Sequence, residues 1–305
     1  MTTAPPPARV PAPRFVDWVA GARLRTLPAA VVPVAVGAGA AAGAGGTFGD
    51  GVVWWRVIAA LAVSLLLQIG VNYANDYSDG VRGTDAVRVG PTRLVATGAA
   101  SPGAVKRAAL LAFLIAAVIG LGLAAMTTWW LVAVGAAAIL AAWGYTGGPK
   151  PYGYLGLGEL FVFVFFGLVA TAGTAYVALE RIPGVTWVAA TGVGFLACAL
   201  LVINNLRDIP TDAAVGKRTL AVRFGDRGTR VLYAGLVVGA FIAVAVAAGL
   251  RSWSLIALAG LGSAREPIQR VMAGANGREL IPILGDTGKT QMIYGLLFAV
   301  GLALG

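Results

Sequence analysis

The 305-residue sequence contains no histidine and one cysteine, and only 12% of its residues are charged. Without histidine there is no Ser-His-Asp triad, no HExxH zinc site, no histidine-ligated haem and no imidazole base near neutral pH. The single Cys198 lies inside an apolar run, which excludes disulfides and cysteine-rich metal sites. Charge is scarce against the roughly one quarter usual in soluble domains, and 58% of residues are hydrophobic. A soluble globular protein is excluded, and the chemistry left to the chain must use carboxylates, amides, phenols and cations.

What is present is apolar sequence in long runs. A helix needs about 20 apolar residues to cross the hydrocarbon. Runs near 28–46, 53–74, 105–126, 128–144, 155–179, 186–204, 229–249, 252–264 and 288–305 predict an all-α, polytopic membrane bundle of about nine transmembrane helices. The eighth run is short and is expected to continue as an amphipathic stretch kinked at Pro267. Residues 1–27, opening MTTAPPPARVPAPRF, form a proline-rich polar arm without the apolar core of a signal peptide, expected to be disordered and cytoplasmic. Residues 28–305 form one membrane domain. Twenty of the 23 Lys and Arg fall on the side of the N-terminus, leaving Arg56, Arg181 and Arg251 opposite. By the positive-inside rule the N-terminus is cytoplasmic and the C-terminus outside. The net charge of +10 is thus topology, and no nucleic-acid partner is implied. Most of the 43 glycines, including the run GAGAAAGAGG, are expected to serve close helix packing.

Five of the 13 acids fall in two clusters just after apolar spans. The first reads QIGVNYANDYSDGVRGTD and holds Asp76, Asp79 and Asp85. In a continuous helix Asn72, Asp76 and Asp79 share a face, with Gln68 one turn earlier. The second reads INNLRDIPTDAAVGKRTL, where Asn204, Asp208 and Asp212 repeat at four-residue intervals beside Arg207, Lys217 and Arg218. Pro210 disfavours helix at Ile209 and predicts a kink between the two aspartates.

Two acidic clusters on one predicted side, set among cations, suit a diphosphate held through Mg²⁺. Carboxylate and phosphate repel each other. Mg²⁺ joins them by taking one or two protein carboxylates with phosphate oxygens and water, while Lys and Arg neutralise the remaining oxygens. Arg93 and Lys217 or Arg218 are candidates for that role, and Tyr145, Tyr152 and Tyr154 for stacking on an aromatic ring or facing a carbocation. Glu159 opens an apolar span and reads as a first-turn acid favoured by the helix dipole. Asp226, Asp286, Glu266 and Glu279 read as loop acids, and Trp129 and Trp130 as an interfacial belt.

The stretch from Asn72 to Asp85 resembles the first aspartate-rich motif of the UbiA superfamily of intramembrane prenyltransferases, and RDIPTD resembles the second. Further stretches, ARLRTLPAAVVPVAVG, GPTRLVATG, YTGGPKPYGYLGLGE, DAAVGKRTLAVRFG and RELIPILGDTGKTQMIYGLLFAVGL, are similar to its naphthoate branch, MenA. The resemblance spans nearly the whole chain. It implies the UbiA-type fold in the bacterial cytoplasmic membrane, and transfer of a polyprenyl group from an all-trans polyprenyl diphosphate to 1,4-dihydroxy-2-naphthoate. Loss of CO₂ then gives demethylmenaquinol, a step of menaquinone synthesis. It implies Asp76, Asp79, Asp208, Asp212 and Asn72 as Mg²⁺–diphosphate ligands, and Lys150, paired with Tyr145, as a diphosphate contact. Gln68, Asn75, Arg93, Asn204, Arg207 and Lys217 are the further substrate contacts expected. Pro210 departs from the acidic residue more usual there, and the Tyr145–Lys150 spacing is one longer than the superfamily's commoner pattern.

Two other readings share the carboxylates. Asp76-Tyr77-Ser78-Asp79-Gly80 begins like the motif of CDP-alcohol phosphotransferases, but the Ala-Arg and the downstream Asp pair expected of them are missing. A secondary transporter would place acids at mid-bilayer in matched halves, whereas here both clusters sit at predicted span ends. A UbiA-type enzyme using another aromatic acceptor stays open.

Overall fold

The computed structural model describes residues 13–45, 47–83 and 93–305. Asp85 and the first twelve residues of the arm lie outside these. Among the described residues the chain is helical and without strands. In chain order the helices are α1 (Phe15–Gly21), α2 (Pro28–Ala42), α3 (Trp54–Arg82), α4 (Pro102–Met126), α5 (Trp130–Gly144), α6 (Gly158–Val162), α7 (Ala170–Leu179), α8 (Val185–Ala214), α9 (Leu220–Ala248), α10 (Leu261–Met272) and α11 (Leu280–Leu304). A π-helical stretch, Phe163–Val169, fuses α6 and α7 into one rod.

Among the described residues, five helices are long and apolar enough to cross a membrane: α3, α4, the Gly158–Leu179 rod, α8 and α9. The pair Phe15–Thr26 and Pro28–Ala42, bent by 53°, makes a sixth. The protein is therefore a multi-pass helical membrane protein, but length and apolarity do not by themselves yield nine spans. The fourth run gives α5, only 15 residues long. The eighth becomes a 3₁₀ stretch, Ser252–Gly260, leading into the charged α10, which continues through Pro267, and the ninth, α11, carries Asp286 and Lys289.

Helix α8 is the central pillar: 72% of its most apolar window is buried, against 28–39% for the other four spanning helices. Its Leu196 and Ile203 join Val32 and Val36 of α2, Tyr233 of α9 and Phe298 of α11 in one core. A second core gathers Tyr73 of α3 and Phe113 of α4 around Leu94. Glycine allows the close approaches. A Cβ on Gly37 would strike the Thr171 carbonyl of α7, and one on Gly39 would strike the backbone of Ala299 in α11, which is the packing role expected of that run.

Residues 13–27 of the arm carry α1 and are tied to α3 by side chains of that helix. Tyr73 Oη donates to Trp18 O (2.8 Å) and Asn72 Nδ2 to Ala22 O (2.9 Å), while Gln68 Nε2 donates to the hydroxyl of Thr26 (2.9 Å). Helix α8 also runs on through Pro210 to Ala214 without a break, which puts Asp208 and Asp212 one turn apart on one face.

Candidate active site

A cavity of about 800 Å³ lies between α2, α3, α5, the Gly158–Leu179 rod and α8. On α3 it is lined from Ala60 to Asp79, roughly 28 Å at about 1.5 Å of rise per residue. Its body is apolar. Its polar groups gather at one end, where α3 and α8 carry their motifs and where Arg23 and Arg25 of the bent N-terminal segment also face in.

At that end each buried aspartate has an assigned place. Asp79 lies 3.5 Å from Arg93 Nη2 and accepts from Tyr154 Oη at 3.3 Å. Asp208 is held in a fork by Arg207, at 2.7 and 2.9 Å. Asp212 lies 3.4 Å from Lys217 Nζ. Arg93, Arg207 and Lys217 all line the cavity, so the cation of every pair faces the space where a ligand would sit. Charges this deep persist only when paired. Both clusters stand at the ends of their helices, as expected.

Tyr154 joins the two halves. Arg82 lies 5.5 Å and Lys217 5.3 Å from its ring centroid, while its hydroxyl donates to Asp79. Arg82 in turn donates to the Thr146 and Gly148 carbonyls. The loop is tied to the second cluster by Arg218 N, which donates to Tyr154 O (3.0 Å), and Arg223, which donates to Leu155 O (2.8 Å). The sequence offers Tyr154 as one of three aromatics for stacking on a ring or facing a carbocation, and Arg82 only among the twenty cations on the side of the N-terminus. Nothing in the spacing signals that they meet.

Asp79 lines the cavity, whereas Asp76, Asp208 and Asp212 do not. Asp76 is fully buried, and its two oxygens accept from the backbone N–H groups of Leu94 (2.7 Å) and Val95 (3.1 Å). With about 3.6 residues per turn, Gln68, Asn72, Asn75 and Asp79 fall within about 60° and face the cavity, while Asp76 stands about 60° from Asp79, beyond Asn72. Asn75 thus joins Asp79 on the cavity lining. Asn72 keeps the face, but its amide binds Ala22 O and Thr26 Oγ1. Asn75 Oδ1 accepts from Thr146 Oγ1 at 2.7 Å. Lys150 is exposed between Pro149 and Pro151 and does not line the cavity. Tyr145 and Asn204 do line it, with Asn204 donating to Leu200 O (3.2 Å).

One wall is aromatic. Tyr145 and Tyr152 meet edge to face at 5.5 Å, and Tyr152 stacks on Phe161 at 4.0 Å. Burial pushes both phenols above the usual tyrosine range, with the Glu159 carboxylate adding to the effect on Tyr145, so both act as neutral groups.

Among the described residues no three carboxylates converge on one point. Those residues offer no closed metal cage; they offer carboxylates in two groups, an open arrangement that would suit Mg²⁺ whose shell a diphosphate completes.

Comparison with known proteins agrees with this arrangement. The 1,4-dihydroxy-2-naphthoate octaprenyltransferase of Mycobacterium tuberculosis is 50% identical over 291 residues, which cover 95% of this chain and 98% of that protein. Two solved structures share the fold. A UbiA homologue from Aeropyrum pernix has a TM-score of 0.68 at 16% identity, covering 90% of this chain and 97% of its own. A UbiA homologue from Archaeoglobus fulgidus bound to DMAPP and Mg²⁺ has a TM-score of 0.54 at 13% identity, covering 93% and 99%. Residues 30–268, which hold both aspartate clusters and most of the cavity wall, match the UbiA prenyltransferase family, and the chain belongs to that family.

Proposed function

We propose that this chain transfers a polyprenyl group from a polyprenyl diphosphate to 1,4-dihydroxy-2-naphthoate, with loss of CO₂, giving demethylmenaquinol. The observation that carries the reading is the division of the cavity: a charged end bearing Arg93, Arg207 and Lys217, and an apolar body running along α3 to Ala60. A polyprenyl diphosphate has the same division. The half-identical mycobacterial relative, covered over nearly its whole length, supports the choice of acceptor.

Asn75 and Asp79 from α3, with Asp208 and Asp212 from α8, would hold Mg²⁺. When bound, Mg²⁺ supplies positive charge to the diphosphate as it leaves. Arg93, Arg207 and Lys217 bind the outer phosphate oxygens and neutralise the charge that develops when the allylic C–O bond breaks. Asp76 carries no ligand role here and fixes the backbone at Leu94, hence the position of Arg93. Tyr154 keeps the two halves in register. The apolar walls hold the prenyl tail and exclude water that would otherwise quench the allylic cation. The charged end faces the cytoplasm, with the N-terminal segment on that side.

The test is incubation of membranes bearing the protein with Mg²⁺, a polyprenyl diphosphate and either 1,4-dihydroxy-2-naphthoate, 4-hydroxybenzoate or homogentisate. Release of CO₂ and diphosphate with a prenylated naphthoquinol is expected. Turnover of another acceptor in preference would overturn the assignment, and a solute flux driven by an ion gradient without diphosphate release would overturn the enzyme reading altogether.

A further inference from the structure

Each buried acid described above has its charge or its oxygens met: Asp79 by Arg93, Asp208 by Arg207, Asp212 by Lys217, and Asp76 by two backbone N–H groups. Glu159 differs. It is only 8% exposed, and among the described residues no cation pairs with it. Its Oε1 accepts from Asn205 Nδ2 at 2.9 Å, while Oε2 is buried with no hydrogen-bond partner. An unsatisfied buried carboxylate oxygen is costly, so packing alone is a poor reason for an acid at this position.

The partner explains the acid. Asn205 is buried on α8, and its side chain lines the cavity. An amide carries one donating and one accepting end, and a carboxylate only accepts. Glu159 therefore holds Asn205 with Nδ2 turned away from the cavity and Oδ1 left over. Oδ1 makes no hydrogen bond and is not among the sealed polar atoms. It is left as an acceptor on a residue that lines the cavity. The aromatic wall of Tyr145, Tyr152 and Phe161 lines the same cavity, and the Tyr145 ring packs against the backbone of Gly158, next to Glu159.

We infer that Asn205 is the acceptor-side specificity residue and Glu159 its positioning residue: Asn205 Oδ1 receives a hydrogen bond from a ring hydroxyl of a hydroxylated aromatic acceptor stacked on the Tyr145–Tyr152–Phe161 wall. This rests on the aromatic prenyl transfer proposed above and names the side of the cavity its second substrate occupies. A diphosphate is unsuited to Asn205 Oδ1, because phosphate oxygens and an amide oxygen are both acceptors and a carboxylate lies behind the amide. Glutamine at 159 would fill the same volume but presents both a donor and an acceptor, so the Asn205 amide would no longer have one preferred orientation.

The inference is tested by steady-state kinetics of Glu159→Gln and Asn205→Ala in membranes, varying each substrate in turn. A rise of about fivefold to tenfold in KM for the dihydroxynaphthoate is expected, the range of one lost hydrogen bond, with KM for the polyprenyl diphosphate changed less than twofold. The wild type should also prefer 1,4-dihydroxy-2-naphthoate over its monohydroxy analogues, and Asn205→Ala should lose that preference towards one of them. An unchanged acceptor KM, or an equal rise in both KM values, overturns the inference while wild-type turnover leaves the proposed function standing. Absence of wild-type turnover with any hydroxylated aromatic overturns both. Asn205→Ala keeps the question decidable if Glu159→Gln does not accumulate.

Discussion

Asp76 accepts a hydrogen bond from the backbone N–H of Leu94 at 2.7 Å, joining residues eighteen positions apart. The neighbouring Val95 N–H adds a second bond at 3.1 Å. The residue just before them is Arg93, whose guanidinium lies 3.5 Å from Asp79. One aspartate thus holds the segment that delivers a cation to the other.

These two aspartates should therefore fail in different ways. Asp76→Asn turns an N–H group towards backbone donors and should lower stability by about 1–3 kcal/mol, together with a raised KM for the diphosphate. Asp79→Asn weakens the buried pair with Arg93 and so also costs stability, but it should in addition lower kcat on the order of a hundredfold. Turnover in membranes separates the two; an equal loss of kcat in both variants would contradict the division.

Removing divalent cations with EDTA should abolish turnover, and added Mg²⁺ should restore it. Asp208→Asn and Asp212→Asn should shift the Mg²⁺ concentration for half-maximal rate upward by about tenfold or more, because each ion takes only one or two protein carboxylates. A rate independent of Mg²⁺ after chelation would remove the metal from the mechanism.

The apolar part of the cavity should select prenyl length. Gly135 and Gly173 line it, and a side chain added at either meets nothing within 4 Å. Leucine there projects into the space left for the tail. Gly135→Leu and Gly173→Leu should retain turnover of a short prenyl diphosphate and reduce that of a long one, read by mass spectrometry of products from a mixed pool. An unaltered product distribution would mean that the tail lies elsewhere.

Arg56 tests stability away from the chemistry. It donates to Val177 O (3.3 Å), Met126 O (2.9 Å) and Glu180 Oε1 (2.8 Å), tying the start of α3 to the ends of α4 and α7. Glu180 is mostly solvated, so the ion pair itself contributes little. Arg56→Met should cost about 1–3 kcal/mol through the two carbonyls it abandons, with both KM values unchanged. A normal unfolding temperature would show the clamp to be idle.

The raised phenols of Tyr145 and Tyr152 give a pH dependence of known sign. An unfolded tyrosine ionises near pH 10, and these do so only higher. Their contribution is intact below pH 10 and is lost as the pH rises above it, since the unfolded chain then releases protons that the folded chain keeps. Unfolding midpoints between pH 8 and 11 should fall, and the fall should be shallower in Tyr145→Phe and Tyr152→Phe.

Much of this could be read in the sequence, because apolar length and the spacing of carboxylates are local properties. The two clusters, Arg207 beside the second and their position at helix ends follow from QIGVNYANDYSD and NNLRDIPTD alone. That Asn75 lines the cavity and Asp76 does not is beyond the sequence, since a difference of one residue turns a side chain about 100° round the helix and only the packing of α3 decides which way it faces. The exposure of Lys150 is beyond it too, because the resemblance fixes a spacing while the backbone between Pro149 and Pro151 fixes a direction. The roles of Tyr154, Arg82 and Asn205 depend on contacts between segments far apart in the chain, and the placement of residues 13–27 depends on α3 reaching back to them.

The cavity's long apolar wall has a consequence for how affinity is expressed. A substrate whose tail lies in lipid meets the protein in two dimensions, and its effective concentration is its mole fraction in the bilayer. Diluting the membrane with inert lipid at constant bulk substrate should raise the apparent KM in proportion, whereas diluting the whole suspension with buffer should leave the turnover per enzyme unchanged. Selection on such a protein acts on how it competes with the surrounding lipid for an isoprenoid chain, and the aqueous concentration of that chain is nearly irrelevant to it.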